Sequence, residues 1–245
     1  VFFRVFFILL IFAVNQHSVL AQNQLSDSSF LAQAMRYRRM IYQNTLADKV
    51  RLYNGTDYKE ILLRDYDRGQ PYFISPEWRK GTIEYEGQRF ENVDLLYDLV
   101  TDKVLTHQYY TLSKIDLIKE KIASFEIAGH MFIHVSAGDS LSGLLKAGIY
   151  DRLEHGDVTL FAQQRKELFE DLSSGRIVQE FRDKNSYFII KGGQAFEIRR
   201  RKDLFTVLSD KKSLIKSELS ENRIRFGKQK EKALIVAAKL YNSSK

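Results

Sequence analysis

Arg199-Arg200-Arg201-Lys202 is the densest run of positive charge in the chain. Guanidinium forks match phosphate or carboxylate oxygens two at a time, so such a run suits an anionic glycan or a lipid head group. On a strand, however, successive heads point to opposite faces. The run then reads as a solvated strand end leading into Asp203. His130 and His134 stand four apart, which places both on one face of a strand or helix, as metal binding would use. No Glu follows His130, and Glu126 would serve as a third ligand only if Ala128-Gly129 did not bend the strand. His107 lies in a tyrosine-rich stretch without an evident partner, and His155 reads as a turn residue before Gly156.

Gly138-Asp139-Ser140-Leu141 spells the nucleophile block of GDSL-type serine hydrolases and follows the apolar run Met131 to Val135. In such enzymes a late His activates the Ser. Here the one His beyond Ser140 is His155, in an expected hairpin turn, and the Gly-x-Asn-Asp block of those enzymes is missing. The remaining chain reads as hairpins and not as alternating strands and helices. Residues 137–140 are therefore expected to form a loop in which Asp139 or Ser140 caps the next turn of chain. No complete catalytic set emerges, so the expectation is a non-enzymatic protein without a cofactor. Ser140 is the candidate nucleophile of the alternative hydrolase reading, and His130 with His134 are the candidates of a metal-binding one.

These residues need elements to hold them. Gln24 to Lys49 shows near-helical spacing of Leu31, Met35, Met40 and Leu46, without Gly or Pro. Residues 65–80 are irregular and hold both prolines and the single Trp, Trp78, which reads as a core-edge residue more readily than a carbohydrate platform. From Gly81 the apolar period becomes two. Ile83 and Tyr85, then Val93, Leu95, Tyr97 and Leu99, predict a half-buried antiparallel meander. Residues 113–122 lean to strand, and Phe125 to Val135 reads as a hairpin. Glu154-His155-Gly156-Asp157 is a four-residue hairpin loop, and Gly192-Gly193 supplies the positive φ values of a primed two-residue turn. Gln163 to Leu172 reads as a short helix or irregular arm. Helical spacing returns at Asp203 to Leu208, at Asp210 to Ser220 with Ser209 as N-cap, and at Glu231 to Tyr241. Strands followed by helices imply an α+β fold: antiparallel β-meander and hairpins with an N-terminal helix and C-terminal helices. A chain finishing on a helix does not suit an outer-membrane barrel.

Arg4, the apolar run Val5 to Val14, and Val19-Leu20-Ala21 ahead of Gln22 read as a signal peptide over residues 1–21. The run is too short for a bilayer, which needs about 20 apolar residues. The mature protein is then expected over 22–245 as one domain, with sub-lobes at 50–135 and 148–245. Hydrophobic residues make up 44% and charged ones 28% of the sequence, which argues against wholesale disorder. There is no Cys, so neither disulfides nor thiolate zinc can staple an exported fold. A periplasmic or cell-surface location in a Gram-negative bacterium is therefore the expectation. In that setting a net charge of +7 points to envelope components rather than nucleic acid.

The strings Gly81-Thr82-Ile83-Glu84-Tyr85, Phe90-Glu91-Asn92-Val93 and Leu95-Leu96-Tyr97-Asp98 carry a resemblance. So do Gly148-Ile149-Tyr150, Tyr187-Phe188, Asp210-Lys211-Lys212, Asn222 and Tyr241-Asn242. Over roughly residues 78–243 the chain resembles an exported, functionally uncharacterised family of Bacteroidota-type bacteria. Members often carry Pro before the Gly at the position of Gly148, where this chain has Ala147. The resemblance implies an envelope or secreted location and brings no catalytic residue with it. The resulting expectation is an exported binding or structural protein, with Arg199, Arg200 and Arg201 as candidate binding residues.

Overall fold

The computed structural model describes residues 31–37, 52–59, 69–107, 113–172 and 178–243, so the leader and most of 22–51 lie outside the described residues. A helix, α1, covers 31–37 within a separate unit, 1–51. The second unit, 52–245, is built on antiparallel sheet. Its strands are β1 (Thr56–Asp57), β2 (Arg79–Tyr85), β3 (Gln88–Asp98), β4 (Lys103–His107), β5 (Lys114–Asp116), β6 (Ile122–Ile127) and β7 (His130–Val135). They continue as β8 (Gly148–Glu154), β9 (Val158–Gln163), β10 (Lys166–Asp171), β11 (Val178–Asp183), β12 (Ser186–Lys191) and β13 (Gln194–Glu197). Helices α2 (Arg201–Val207), α3 (Lys212–Glu221) and α4 (Lys230–Ser243) come after them.

Eleven strands form one sheet in the order β1-β5-β4-β3-β2-β6-β7-β8-β9-β12-β13. The sheet passes without a break from β7 to β8, where Phe132 pairs with Asp151 and Val135 with Gly148. Local turn chemistry sets much of this register. Glu86-Gly87, Ala128-Gly129 and Gly192-Gly193 each hold two successive positive φ values, the twist that lets a two-residue turn join right-handed strands. Gln163 to Leu172 departs from the expected helix or irregular arm. It completes β9 and then forms β10, which pairs with β11 in a separate two-stranded ribbon. Ser209 likewise is not an N-cap: it opens a 3-10 turn, Ser209–Lys211, ahead of α3.

Alternation along β8 and β9 divides the core between two faces. Leu160, Ala162 and Ile189 join Leu204, Leu208, Ile215, Leu219, Leu234 and Ala237 in a core beneath the helices. On the other face, Tyr150 and Phe161 pack with Val135 and Leu145, under the 136–147 loop. Alanines at 233, 237 and 238 let α4 lie close to the sheet. Its end is pinned by Asn242, which accepts from the Val158 N–H at 2.9 Å and donates to the Val158 carbonyl at 3.1 Å. A Cβ at Gly156 would stand 2.5 Å from the Asn242 side chain, so that turn needs glycine.

An aromatic core fills the other end of the sheet, with Phe125 stacked on Phe132 at 4.7 Å and Phe73 and Tyr97 edge-on to Phe132. Between this core and the helix-covered one runs a polar seam. His130 Nδ1 donates to the buried Asp151 carboxylate at 2.7 Å, and Gln164 Nε2 donates to Glu231 at 3.2 Å while standing 3.4 Å from Asp151. The Asp151 hydrogen bond raises His130 above its ordinary 6.5, against the opposing effect of burial. Stability from this pair is complete below the unfolded value and drains away as pH rises through the folded one. Melting temperature should therefore fall as pH is raised from 6.5 through the elevated His130 range, and His130→Gln should flatten that part of the profile. An unchanged slope in His130→Gln would remove the pair as its cause.

Candidate anion-binding groove

The junction between β13 and α2 determines where the arginine run stands. The strand ends at Glu197, and Ile198 is fully buried with its N–H bonded to the Tyr187 carbonyl at 2.8 Å. The Asp203 carboxylate reaches back to accept from the backbone N–H groups of Arg200 at 2.7 Å and Arg199 at 3.0 Å. Those bonds, Arg200's foremost, hold Asp203 below its ordinary carboxylate range. The expected strand-end arrangement, with heads alternating between faces, does not form. The chain leaves the sheet at Glu197 because Leu204 and Phe205 must turn inward, and the three arginines line one groove beside the helices.

The opposite wall comes from the end of α3. Arg223 N–H bonds the Ser220 carbonyl at 3.0 Å and Ile224 N–H bonds the Leu219 carbonyl at 2.9 Å, which is a Schellman closure. Its left-handed position, usually glycine, holds Arg223 at φ 53. Ile224 is buried, so its neighbours Arg223 and Arg225 are left exposed. The groove, of about 890 Å³, is lined by six cations: Arg199, Arg200, Arg201, Arg223, Arg225 and Lys230. Among the described residues Arg199 alone of these six is paired with a carboxylate, to Glu197 at 2.7 Å. Burial pushes Lys230 below its ordinary range, and its ammonium lies 4.9 Å from the Tyr187 ring centre. Glu197 and Asp203 offset part of this charge, Glu197 toward Arg199 and Lys230 and Asp203 toward Arg199, Arg200 and Lys230, and the cations still outnumber them.

Of the other sequence candidates, His130 and His134 share β7, whereas Ser140 and His155 lie in separate connections. Ser140 is exposed in the 136–147 loop, where the Asp139 carboxylate accepts from the Ser136 hydroxyl at 2.8 Å. His155 sits in the β8–β9 turn and bonds the Thr159 hydroxyl at 3.1 Å. His134 donates through Nδ1 to the Ile122 carbonyl at 3.0 Å, whereas His130 donates to Asp151. Each histidine is thus oriented by a different partner, and no group of three metal-ligating side chains occurs among the described residues. His107 meets Asp94 at 2.9 Å and lies edge-on to Trp78. Sequence reasoning missed Arg223, Arg225 and Lys230. The alternation of basic residues around Ile224 was the available signal, but its meaning depends on a tertiary neighbour.

Left-handed backbone costs a non-glycine residue about 1–2 kcal/mol, and here an arginine bears it. Arg223→Gly should raise the melting temperature by a few degrees, given roughly 2–4 °C per kcal/mol for a domain of this size. The same variant should bind anions more weakly than the parent. A variant that is less stable, or that keeps full anion affinity, would contradict a functional reason for Arg223.

Comparison with known proteins returns no matching family model, no matching curated protein and no matching solved structure.

Proposed function

We propose that this chain is a non-enzymatic, exported binding protein whose ligand is anionic and seats in the groove between the 199–201 junction and the end of α3. The single observation that carries the reading is the convergence of six cations from three segments on one concave surface, five of them without a carboxylate partner among the described residues. Arginine dominates the lining, which favours oxygen anions held by paired N–H bonds over simple point charges. The leader-like residues 1–21 and the absence of cysteine support an envelope or secreted setting, as does the resemblance over 78–243. An acidic glycan or a phosphorylated head group is the ligand chemistry available there.

Binding to the folded state alone raises thermal stability by mass action. Pyrophosphate at millimolar concentration should therefore raise the melting temperature beyond sodium chloride of equal ionic strength, and Arg225→Ala should abolish most of that rise. Equal rises in both proteins would place the anion elsewhere. Export is tested by sequencing the amino terminus of the mature protein: it should begin at or near Gln22, and a chain retaining Phe6 to Phe12 would refute it.

A further inference from the structure

A second basic concavity adjoins the first. It holds about 560 Å³ and is lined by Arg201, Lys202, Phe205, Thr206, Lys212 and Lys216. Arg201 belongs to both grooves. Along α3, Lys212, Lys216 and Ser220 recur every four residues and so lie along one stripe of the helix. Lys212 and Lys216 open onto the second groove and Ser220 onto the first. At 1.5 Å per residue that stripe is about 12 Å long before the first groove continues to Arg223 and Arg225. A lone phosphate touches a few donors at hydrogen-bond distance and cannot engage both ends.

We infer that the two grooves form one track for an extended, linear anionic polysaccharide carrying carboxylate or sulfate groups. The inference rests on the anion-binding reading above and specifies its ligand. Three observations favour a glycan chain over other polyanions. Single-stranded nucleic acid is held by open aromatic faces on which bases stack. In this track Phe205 is buried, with Arg201 at 5.2 Å and Lys216 at 5.6 Å from its ring centre, and Phe226, the one other aromatic lining it, is half-buried against the helix-covered core, too few for a run of stacked bases. Insertion into a lipid surface uses an exposed apolar face beside the cations, and without one only the electrostatic attraction of head groups remains. None of the large exposed hydrophobic residues among those described lines either groove. The cations also follow one another lengthwise, from Lys212 and Lys216 past Arg201 to Arg223 and Arg225, which suits a chain laid along them.

The test uses the full mature chain and heparin-derived sulfated oligosaccharides as probes, titrated calorimetrically at low ionic strength. A disaccharide should bind the first groove weakly, and an octasaccharide should bind at least about tenfold more tightly by engaging both grooves at once. Lys212→Ala/Lys216→Ala should remove most of that gain and leave disaccharide affinity unchanged. Disaccharide binding with no gain from length would overturn the extended track while leaving the first groove as an anion site. Failure of both probes, with Arg225→Ala indistinguishable from the parent, would overturn the anion reading itself. Tighter binding of a twelve-nucleotide oligo-dT or of phosphatidylglycerol vesicles than of the octasaccharide would overturn the assignment to a glycan.

Discussion

The burial of Leu204, Leu208, Ile215, Leu219 and Ile224 against β9 and β12 decides where the arginines of the groove stand. Among the described residues Arg199 is the one groove arginine paired with a carboxylate, Glu197, and Arg201 lies over the Phe205 ring at 5.2 Å. Their positions are set by apolar neighbours that must turn inward: Ile198 before the run, Leu204 after it, and Ile224 between Arg223 and Arg225. Burying one such side chain is worth roughly 1.5–3 kcal/mol, enough to hold several like charges together against their repulsion in water. Asp203 then locks the junction through two backbone N–H groups, work that a short helix needs done at its open end.

A second polar device works deeper in the protein. Asp102, in the β3–β4 turn at φ 59, accepts from Tyr97 at 2.7 Å and from Arg165 at 2.9 Å, and pairs with Lys119. Nearby, Lys166 Nζ donates to the carbonyls of Gln70 and Tyr72. The start of the β10–β11 ribbon is thereby tied to the far end of β3, although the ribbon shares no ladder with the large sheet. Burial of these ionic groups is compensated by several partners at once, which is the condition under which a buried carboxylate is tolerable.

Legible in the sequence were the local features. The Gly192-Gly193 turn, the β8–β9 turn (expected over Glu154 to Asp157 and observed over His155 to Asp157, with Glu154 paired in β8) and the period-two runs of β2 and β3 are each written in a few adjacent residues, and the antiparallel sheet with helices after it could be inferred from them. The α+β reading holds at that level: an eleven-stranded antiparallel sheet with four helices among the described residues. Elements that depend on distant partners were harder. Lys166 to Asp171 becomes a strand because β11 offers it a partner, and nothing in its own alternation announces that. The arginine run was visible at once, but its facing wall, Arg223 and Arg225, lies across a tertiary gap that only the docking of α3 closes. Asp203, seen as the residue after the run, holds the bend in place through the N–H groups of Arg199 and Arg200.

Anions should gather at these arginines and not over the basic surface at large. Side-chain Nε resonances of individually assigned arginines, monitored while a sulfated disaccharide is added, test this directly. Shifts are predicted at Arg200, Arg201, Arg223 and Arg225, with Arg89 and Arg182, each paired to a neighbouring glutamate, unmoved. Shifts of equal size at all six would contradict the groove, because a diffuse cloud of charge would then explain the binding without it.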